Sequence, residues 1–396
     1  MDYRAFFSKI AEQNRLPMDT LRLRQHKGIP TGRIHIMQHE YIERIAGVPS
    51  VEYRRNPEDV YVSCLRNLGS NIFYQWIPLN PLTMGNRGYE EGRDRGATTG
   101  AERIICNGML IDSPEATVEH MERFEFPKFR DAIADFNEDR RVEEILHREQ
   151  EIQQKIGPGI LNVCGGGSYV HFPQLYYGHY GYENYFMTYA LYPEIIEKHF
   201  SLQADLALLH NRALARAYKE GDLPPASWVA HDMADSRGTI VDVKSLDKIW
   251  FPHFARCIEP MLGTDVRLVW HCDGNLMQMV PRLLDAGIKG FQGFQYEDGM
   301  DYEKICSMKT RDGEGLLIWA GISVTRTLPF GTSADVKKEI KWLVEKGPRV
   351  GLFLGGSSAL APGIPWENIQ TMLEGFKYYR EHGREKTIQA GDTKPC

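Results

Sequence analysis

The stretch "VRLVWHCDGNL", residues 266–276, indicates the fold because a buried strand runs directly into polar side chains. Its first five residues predict the strand, and His271, Cys272, Asp273 and Gly274 follow without a spacer. In parallel α/β barrels the reactive groups lie where the strands end at the carboxyl side. An imidazole, a thiol and a carboxylate in this position therefore predict a functional edge.

Similar apolar runs recur along the chain, each closed by Gly, Pro or Asp and followed by a helical pattern. The predicted strands are 33–38, 70–79, 159–166, 227–235, 266–274, 290–295, 316–323 and 349–358. The clearest helical patterns are 192–221, 245–262, 276–287 and 332–347. Near-continuous apolar strands joined by crossover helices indicate a parallel sheet buried on both faces. Eight such units predict a (β/α)8 TIM barrel.

The predicted domain organisation is one barrel domain over residues 1–384, with a helical lead-in (1–30) and a polar C-terminal tail (385–396). The span 85–158 is too long for one crossover, so it is predicted as an insertion after the second strand. Its Gly-, Arg- and Thr-rich start predicts a hairpin-bearing loop, followed by helices, over the barrel mouth.

Composition excludes several classes of protein. The 396 residues are 42% hydrophobic and 25% charged, with a net charge of -6, as in ordinary globular proteins. The absence of a long basic run argues against nucleic-acid binding. No secretory signal or membrane span is recognisable, so we expect a cytoplasmic protein that does not bind membranes. Seven cysteines without a C-x-x-C pair indicate reduced thiols and no zinc ribbon. The oligomeric state is open, a homodimer included.

Polar side chains follow seven of the eight predicted strands. Candidate catalytic residues are His231, Asp232, His271 and Asp273, and candidate substrate contacts at the same rim include Asp235 and Ser358. Taken singly, each is also explained as a helix cap or as a partner of loop backbone. The repetition at strand after strand favours a functional rim.

His271 and Asp273 lie two residues apart on an extended chain, so their side chains leave on the same side and that of Cys272 on the other. Such a pair can hold a metal ion, or the carboxylate can orient the imidazole for acid–base chemistry. Glu297, beyond the next strand, is a candidate third metal ligand. The alternative is hydrogen bonding to substrate or a structural network.

Aromatic residues flank the same rim, and Trp76, Tyr177 and Tyr180 are candidates for a wall that holds a flat ring. The alternative is loop packing, since the tyrosine-rich stretch 176–186 is predicted as a loop. The three glycines at 165–167 lack the remaining residues of a phosphate-binding loop and are interpreted as a backbone bend.

Four segments, "HDMADSRGTIVDVKSLDKIWFPHF" (231–254), "HCDGNLMQMVPRLLDAGIKGF" (271–291), 317–345 and 351–379, resemble the uroporphyrinogen decarboxylase-like superfamily. The last contains the closing strand, a Gly-rich turn and a P-x-E-N helix entry. The resemblance covers roughly residues 30–380. It implies a (β/α)8 barrel and one of two chemistries, decarboxylation of a tetrapyrrole without a cofactor or methyl transfer involving corrinoid proteins.

The resemblance favours methyl transfer. "LRLRQHKGIPTGR" (21–33) does not match the decarboxylases' arginine-rich motif. The thiol-activating methyltransferases bind zinc through a His-x-Cys pair, a Glu and a distant Cys. Here His271 matches, Asp273 replaces the Cys, Glu297 lies near the Glu position, and "GGSS" (355–358) lacks the final Cys.

An oxygen ligand in place of a thiolate suits polarising an ether oxygen better than activating a thiol. The resemblance therefore implies a corrinoid-dependent methyltransferase that demethylates a methoxy-aromatic substrate, with a corrinoid (cobalamin) protein as partner and zinc as a candidate metal. A decarboxylase acting on a carboxylated ring is the alternative. A non-catalytic binding module is a third interpretation, disfavoured by the dense polar rim.

Overall fold

The computed structural model describes residues 2–83 and 104–384. Their strands are short and lie between longer helices, as in a layered α/β fold. The strands are β1 (Ile72–Tyr74), β2 (Ile105–Cys106), β3 (Met109–Leu110), β4 (Leu161–Cys164), β5 (Ala226–Ala230), β6 (Ala234–Asp235), β7 (Gly238–Thr239), β8 (Arg267–His271), β9 (Gly290–Gly293), β10 (Leu317–Ile322) and β11 (Leu352–Gly356).

The helices precede β1, cover the strands and fill most of the connections. They are α1 (Tyr3–Gln13), α2 (Arg15–Leu21), α3 (His39–Ala46), α4 (Glu52–Arg55), α5 (Pro57–Asn67), α6 (Pro114–His120), α7 (Phe126–Ala134), α8 (Glu138–Ile156), α9 (Tyr177–Tyr180), α10 (Tyr182–Leu191), α11 (Pro193–Gly221), α12 (Val243–Ile249), α13 (Phe251–Leu262), α14 (Val280–Ala286), α15 (Tyr302–Ser307), α16 (Thr327–Phe330), α17 (Ser333–Lys346) and α18 (Trp366–His382). None of these described helices is both long and apolar enough to cross a membrane.

The main sheet is parallel and five-stranded, in the order β11-β10-β9-β8-β5, and β1 and β4 form a separate parallel pair. The hairpins β2–β3 and β6–β7 are antiparallel. The mixed α/β architecture with a parallel sheet is thus confirmed. Strands β4 and β5 are adjacent without a ladder, and Ser227 Oγ donates to the carbonyl of Ser168 at 2.8 Å between them.

The prediction of a first strand at 33–38 is wrong. The backbone there makes isolated parallel bridges only, between Thr31 and Leu354 and between Ile36 and Leu360. Pro30 just before it has no amide hydrogen, which removes one donor from this edge. The segment still lies between β11 and β1, since the Asn71 amide donates to the carbonyl of Thr31 at 2.8 Å.

The second predicted strand, 70–79, is also shorter than expected because the ladder ends at Tyr74. Gln75 has a φ of 64°, a left-handed conformation that a non-glycine residue rarely adopts. A strand cannot continue through such a residue. The chain therefore turns at Gln75 towards the cavity described below.

Because successive side chains of a strand point to opposite faces, the hydrophobic core consists of two clusters. One set of strand side chains meets in an inner cluster that draws on β1, β4, β5, β8, β10 and β11, with Tyr74, Val163, Val269, Trp319 and Phe353 among its members. The opposite faces pack against the helices in a larger cluster. This two-sided burial explains why the strands have nearly continuous apolar sequences.

Helix α17 forms where the sequence predicts it. Thr332 caps it in a capping box with Asp335, and the predicted apolar face of Val336, Ile340, Leu343 and Val344 is buried. The tyrosine-rich stretch 176–186, expected to be a loop, is instead helical in α9 and α10. Gly181, with a φ of 79°, separates the two helices.

The described part of the predicted insertion, 104–158, consists of the β2–β3 hairpin and helices α6, α7 and α8. Helix α6 packs against α10, and α7 and α8 pack against α11. The glycine-rich start of the insertion (85–103) and the predicted C-terminal tail (385–396) lie outside the described residues.

Candidate active site

A cavity of about 750 Å³ opens at the carboxyl ends of β1, β4, β5 and β8. Its walls combine aromatic rings with polar groups. They are formed by Gln75, Trp76, Ile77, Arg148, Gly165, Gly166, Tyr169, Val170, Phe172, Gln174, Tyr177, Trp228, Ala230, His231, Asp232 and His271. This volume is within the range of small-molecule sites.

Three of the predicted catalytic residues meet at the edge of this cavity, where Asp232 and His271 line it and Asp273 lies beside them. His271 is the last residue of β8, and its Nε2 atom lies 4.0 Å from Oδ1 of Asp273. Asp232 follows β5, and one candidate ligand atom from each of the three side chains lies within 4.8 Å of the other two. We refer to Asp232, His271 and Asp273 as the cavity cluster.

Sheet register brings the cavity cluster together. Ala230 pairs with His271, so the two acids, each two residues beyond the pair, leave their strands on the same side. The amide of Asp273 donates to Oδ1 of Asp232 at 3.3 Å, which ties the two strand ends together. Gly274 then turns the chain with a φ of 85°, and a Cβ there would lie 2.6 Å from the carbonyl oxygen of Asp235. Only glycine fits this close approach.

Burial raises the pKa of Asp273 above its usual value. The nearby imidazole of His271 opposes this pKa shift, while the charges of Asp232 and Glu297 add to it. Ser358 Oγ donates to Oδ2 of Asp273 at 3.2 Å, which places the predicted contact Ser358 beside the cluster. Oδ1 has no hydrogen-bond partner among the described residues.

The three predicted metal ligands each keep one buried atom without a hydrogen-bond partner in the described structure: His271 Nδ1, Asp273 Oδ1 and Glu297 Oε2. Buried polar atoms rarely lack a hydrogen-bond partner unless a ligand or a water molecule provides one. An imidazole with carboxylates is a donor set that zinc and harder divalent ions accept, so these residues fit a metal ion. The structure groups His271 and Asp273 with Asp232, however, and Glu297 lies outside that cluster.

Glu297 belongs to a neighbouring hydrogen-bond network. Its Oε1 atom accepts from Ser323 Oγ at 2.5 Å and from Thr325 Oγ1. The amide of Ser323 donates in turn to Glu339 at 2.6 Å. Glu297 is therefore held by one oxygen, and its other oxygen is free to receive a ligand.

His231 lies on the cavity wall as a neutral imidazole. Burial lowers its pKa to about 4, and its Nε2 atom accepts from the amide of Leu175 at 2.8 Å. The ring stacks on Tyr177 at 5.7 Å between centroids. With Nε2 occupied, the Nδ1 atom carries the proton, and this limits His231 to donating a hydrogen bond.

Cys272 is turned away from the cavity cluster. Its thiol donates to the carbonyl of Asp273 at 2.9 Å and accepts from the amide of Met233 at 3.3 Å. Burial raises its pKa to about 12. The side chain is therefore a neutral thiol packed in the core.

Two of the three predicted wall aromatics line the cavity. Trp76 does so directly, and Tyr177 also donates from its hydroxyl to the carbonyl of Asp232 at 2.8 Å. Tyr180 does not line it: the side chain is fully buried and its hydroxyl pairs with Nδ1 of His120 at 3.0 Å.

Asp235, another predicted substrate contact, is also absent from the cavity wall. It lies on the β6–β7 hairpin, where it pairs with Arg237 at 2.5 Å. That hydrogen bond is the main cause of its lowered pKa. The carboxylate is already neutralised by an exposed guanidinium, so it is not available to the cavity.

The structure adds Trp228, Tyr169 and Phe172 to the wall. The ring of Trp228 lies 5.2 Å from that of His271, and its indole nitrogen is buried without a hydrogen-bond partner in the described residues. The sequence signal was present, because Trp228 lies on a predicted strand. Tyr169 and Phe172 follow the glycine bend, and periodicity gives no information about their direction.

Arg33 is the polar residue that sequence reasoning missed. Its Nη2 atom donates to Gln75, a cavity-lining residue, at 3.0 Å, and its guanidinium stacks over Tyr74 at 4.7 Å. The phenol groups of Tyr61 and Tyr74 are further polar neighbours, Nε and Nη1 make no hydrogen bond of standard geometry within the described residues, and no carboxylate there pairs with the guanidinium. Its position as the first residue of the predicted strand at 33–38 was the available signal.

The glycine bend at 165–167 is organised by a buried carboxylate. Glu149 accepts hydrogen bonds from the amides of Gly166 at 3.0 Å and Ser168 at 2.8 Å, and from the Asn162 side chain at 2.7 Å. These donors are used within the protein. The bend therefore shapes the cavity wall rather than offering its amides to a phosphate.

Comparison with solved structures finds this fold in a methyltransferase from Methanosarcina mazei. It is 15% identical over 93% of this chain and 98% of the other, with a TM-score of 0.52. The resemblance drawn from the sequence is thereby confirmed at the level of the fold. A B12-independent methionine synthase from Shewanella sp. W3-18-1 matches 45% of this chain and 55% of its own at 13% identity and a TM-score of 0.31, on which nothing is based. No family model and no curated protein matches significantly.

Proposed function

We propose that this protein is a methyltransferase that takes the methyl group of a methoxy-aromatic compound and passes it to a corrinoid protein. The observation that carries the proposal is an aromatic-walled cavity with an incompletely paired cluster of acids and imidazole at its edge. We further propose that the segment at 30–36 joins β11 to β1 and closes the strands into a barrel, with β4 beside β5.

The ring of the substrate would lie between the aromatic walls. Trp76, Trp228 and Tyr177 offer large flat faces with little loss of rotamer freedom on binding. A ring held there places its methoxy group at the carboxyl end of β8, where His271 ends the strand. Orientation of this kind supplies much of the catalytic gain in a transfer between two bound partners.

In the transfer, the bond between the methyl carbon and the ether oxygen breaks and its electron pair stays on the oxygen. The methyl group passes to the reduced corrinoid, which supplies the electron pair for the new bond. The oxygen becomes a phenolate, a mediocre leaving group unless its charge is neutralised. Asp273 is placed for this task, because burial favours its protonated form and Oδ1 has no other partner.

The remaining members of the cavity cluster position that proton. His271 lies beside Oδ1 of Asp273, and Asp232 holds the Asp273 backbone amide. His231, a neutral donor on the wall, can hydrogen-bond a ring substituent through Nδ1. If a zinc ion is bound, His271, the Asp273 carboxylate and either Asp232 or Glu297 would hold it, and the ion would take the place of the Asp273 proton in polarising the ether oxygen.

The buried charge of Arg33 favours rings that carry a carboxylate. A guanidinium without a carboxylate partner is costly to bury, and a substrate anion at Gln75 would offset that cost. We therefore propose methoxybenzoates as better donors than neutral methoxyarenes.

The test is an assay with purified protein, a reduced corrinoid protein and a panel of methoxyarenes with and without a carboxylate. Formation of methylated corrinoid, followed by its absorbance, is the expected result. Absence of any corrinoid methylation across the panel would overturn the proposal. Elemental analysis of the same preparation decides whether a metal accompanies the activity.

A decarboxylase of a carboxylated ring is the second candidate, and Arg33 is the observation that favours it, since a substrate carboxylate would meet the same unpaired guanidinium. That function needs neither metal nor corrinoid. Loss of a carboxyl group from a ring substrate in the presence of a chelator and without corrinoid protein would select it over methyl transfer.

A further inference from the structure

A second group of metal-ligating side chains lies outside the cavity, where the β2–β3 hairpin meets helices α6 and α9. It consists of Cys106 at the end of β2, His120 at the end of α6 and His179 in α9. One candidate ligand atom from each of the three lies within 4.8 Å of the others. None of them lines the cavity. We refer to these residues as the hairpin cluster.

We propose that the hairpin cluster binds a divalent cation of the zinc type. A thiolate and two imidazoles are ligands that Zn²⁺ prefers, and bond lengths of about 2.0–2.3 Å place tetrahedral ligand atoms roughly 3.5 Å apart. The side chains are within about an ångström of that spacing. A bound cation would draw the three ligand atoms together by that difference.

The surroundings of His120 suit a metal-bound imidazole. Its Nδ1 atom pairs with the hydroxyl of Tyr180 at 3.0 Å, and its Nε2 atom pairs with Oδ1 of Asn107 at 3.0 Å. Asn107 is an exposed turn residue that can move aside, whereas Tyr180 is fixed in the core. Because Oδ1 of Asn107 is an acceptor, Nε2 carries the ring proton; metal binding there would move that proton to Nδ1, which would then donate to the Tyr180 hydroxyl oxygen, the kind of outer contact that orients most metal-bound histidines.

The other two side chains are adjacent, since the thiol of Cys106 donates to the carbonyl of His179 at 3.6 Å. His179 is exposed, and no described residue hydrogen-bonds to its ring. Burial lowers the pKa of both His120 and His179, which keeps their nitrogen lone pairs free of protons at neutral pH. Burial raises the pKa of Cys106, so the thiol keeps its proton in the metal-free protein and a bound cation would have to displace it.

A buried acid adds negative charge next to these ligands. Glu125 is only 3% exposed, and its Oε2 atom has no hydrogen-bond partner in the described structure, with only the exposed Lys128 ammonium 3.5 Å away. Its charge acts on both Cys106 and His179. A bound cation would compensate this acid as well as the thiolate.

The cation would join three segments that are distant in sequence. It would fix the hairpin and the end of α6 to α9, whose first residue, Tyr177, lines the cavity. The site is therefore structural in character: it holds the aromatic wall in place and takes no part in a reaction. This inference does not depend on the proposed methyl transfer.

The experiment is a titration of the metal-free full-length protein with Co²⁺, followed by absorbance. A thiolate bound to cobalt gives a near-ultraviolet charge-transfer band, and the cavity cluster contains no thiolate ligand. We expect the band in the wild type and its loss in Cys106→Ser. The matched control is Cys272→Ser, which removes the buried thiol next to the cavity cluster and should leave the band unchanged.

His179→Gln provides a second variant at an exposed position, where folding is not at risk. It should weaken Co²⁺ binding on the order of 10-fold or more. The proposal is overturned if the wild type shows no thiolate band, if Cys106→Ser retains it, or if His179→Gln binds Co²⁺ as tightly as the wild type. The readout is independent of activity, so it stands or falls separately from the assay with the corrinoid protein.

Discussion

The cavity cluster and the hairpin cluster contain similar side chains in different surroundings. His271 and Asp273 end a strand of the parallel sheet beside a cavity, and each keeps a buried atom without a partner. His120 is packed between a hairpin and two helices, and both of its nitrogens are paired. The two clusters therefore differ in their surroundings: the cavity cluster lies beside open space that a substrate could enter, whereas the hairpin cluster lies where three segments of the fold meet.

Replacing one histidine from each cluster should have opposite effects on activity and on thermal stability. His271→Ala should lower kcat/KM for the proposed methyl transfer by about 10²–10⁴-fold with little change in Tm, because in that proposal the residue positions the acid at the reacting oxygen. His120→Ala should instead lower Tm, because it leaves Tyr180 without its buried partner, and should largely retain the kcat of the folded enzyme. Steady-state kinetics and thermal unfolding measure both.

A surface acid serves as the control for this pair. Asp247→Asn removes an ion pair with Arg282 on the helical exterior and should change neither quantity appreciably. Retained activity in His271→Ala, at any value of Tm, would remove the cavity cluster from the mechanism.

Arg33, which contacts the cavity-lining Gln75, carries a buried charge without a carboxylate partner in the described residues. Arg33→Gln should raise KM for a methoxybenzoate by about 10–100-fold, since a hydrogen bond to a charged group contributes roughly 1.5–3 kcal/mol. The same variant should raise Tm, because it removes a buried cation that lacks a carboxylate partner in the described protein. Parallel assays with a neutral methoxyarene, whose KM should hardly change, measure the contribution of the carboxylate.

A variant with unchanged KM for both donors and a lower Tm would show that Arg33 is purely structural. Arg33→Lys separates charge from geometry. It should recover only part of the KM effect, because an ammonium cannot hold a carboxylate through two parallel hydrogen bonds.

Glu339 extends the cavity side behind Glu297 and gives a stability prediction. Burial raises its pKa to about 7, and the amide of Ser323 donates to it. The folded protein holds this proton more tightly than the unfolded chain does. The resulting stability is fully present below the ordinary glutamate pKa and is lost as the pH rises through about 7.

Glu339→Gln should therefore stabilise the protein at pH 8 by roughly 1–3 kcal/mol and have little effect at pH 4. Thermal unfolding across that pH range measures the difference. Glu345→Gln, on the same helix and more exposed, is the matched control. Equal Tm shifts at both pH values would mean that the change reflects packing rather than ionisation.

The sequence predicts those parts of the fold that have strong local signals. The parallel sheet and helix α17 follow from strong local signals, namely continuous apolar runs and a capping box with a four-residue apolar face. The strand at 33–38 was overpredicted, since hydrophobicity does not reveal that only isolated bridges form there. The helices around Gly181 were missed because aromatic residues have weak helix propensity, which tertiary packing overrides.

The residues of the candidate site also differ in how well the sequence predicts their positions. His271, Asp273 and Asp232 were predicted because parallel strands place their carboxyl ends at one edge. Tyr180 and Asp235 do not line the cavity, because the former is buried against His120 and the latter pairs with Arg237 on the β6–β7 hairpin. The hairpin cluster was not predictable, because its three ligands come together only through tertiary contacts between distant segments.

The smallest expected effect concerns Tyr177, which is connected to both clusters. It lines the cavity and is the first residue of α9, the helix that carries His179. Tyr177→Phe keeps the aromatic face and removes only the hydroxyl that donates to the carbonyl of Asp232. Loss of one neutral hydrogen bond of about 0.5–1.5 kcal/mol predicts a 2- to 10-fold fall in kcat/KM. Co²⁺ binding at the hairpin cluster should remain as in the wild type. Steady-state kinetics and the cobalt titration on one preparation measure both, and a loss of cobalt binding without a change in kcat/KM would mean that this tyrosine supports the hairpin rather than the cavity.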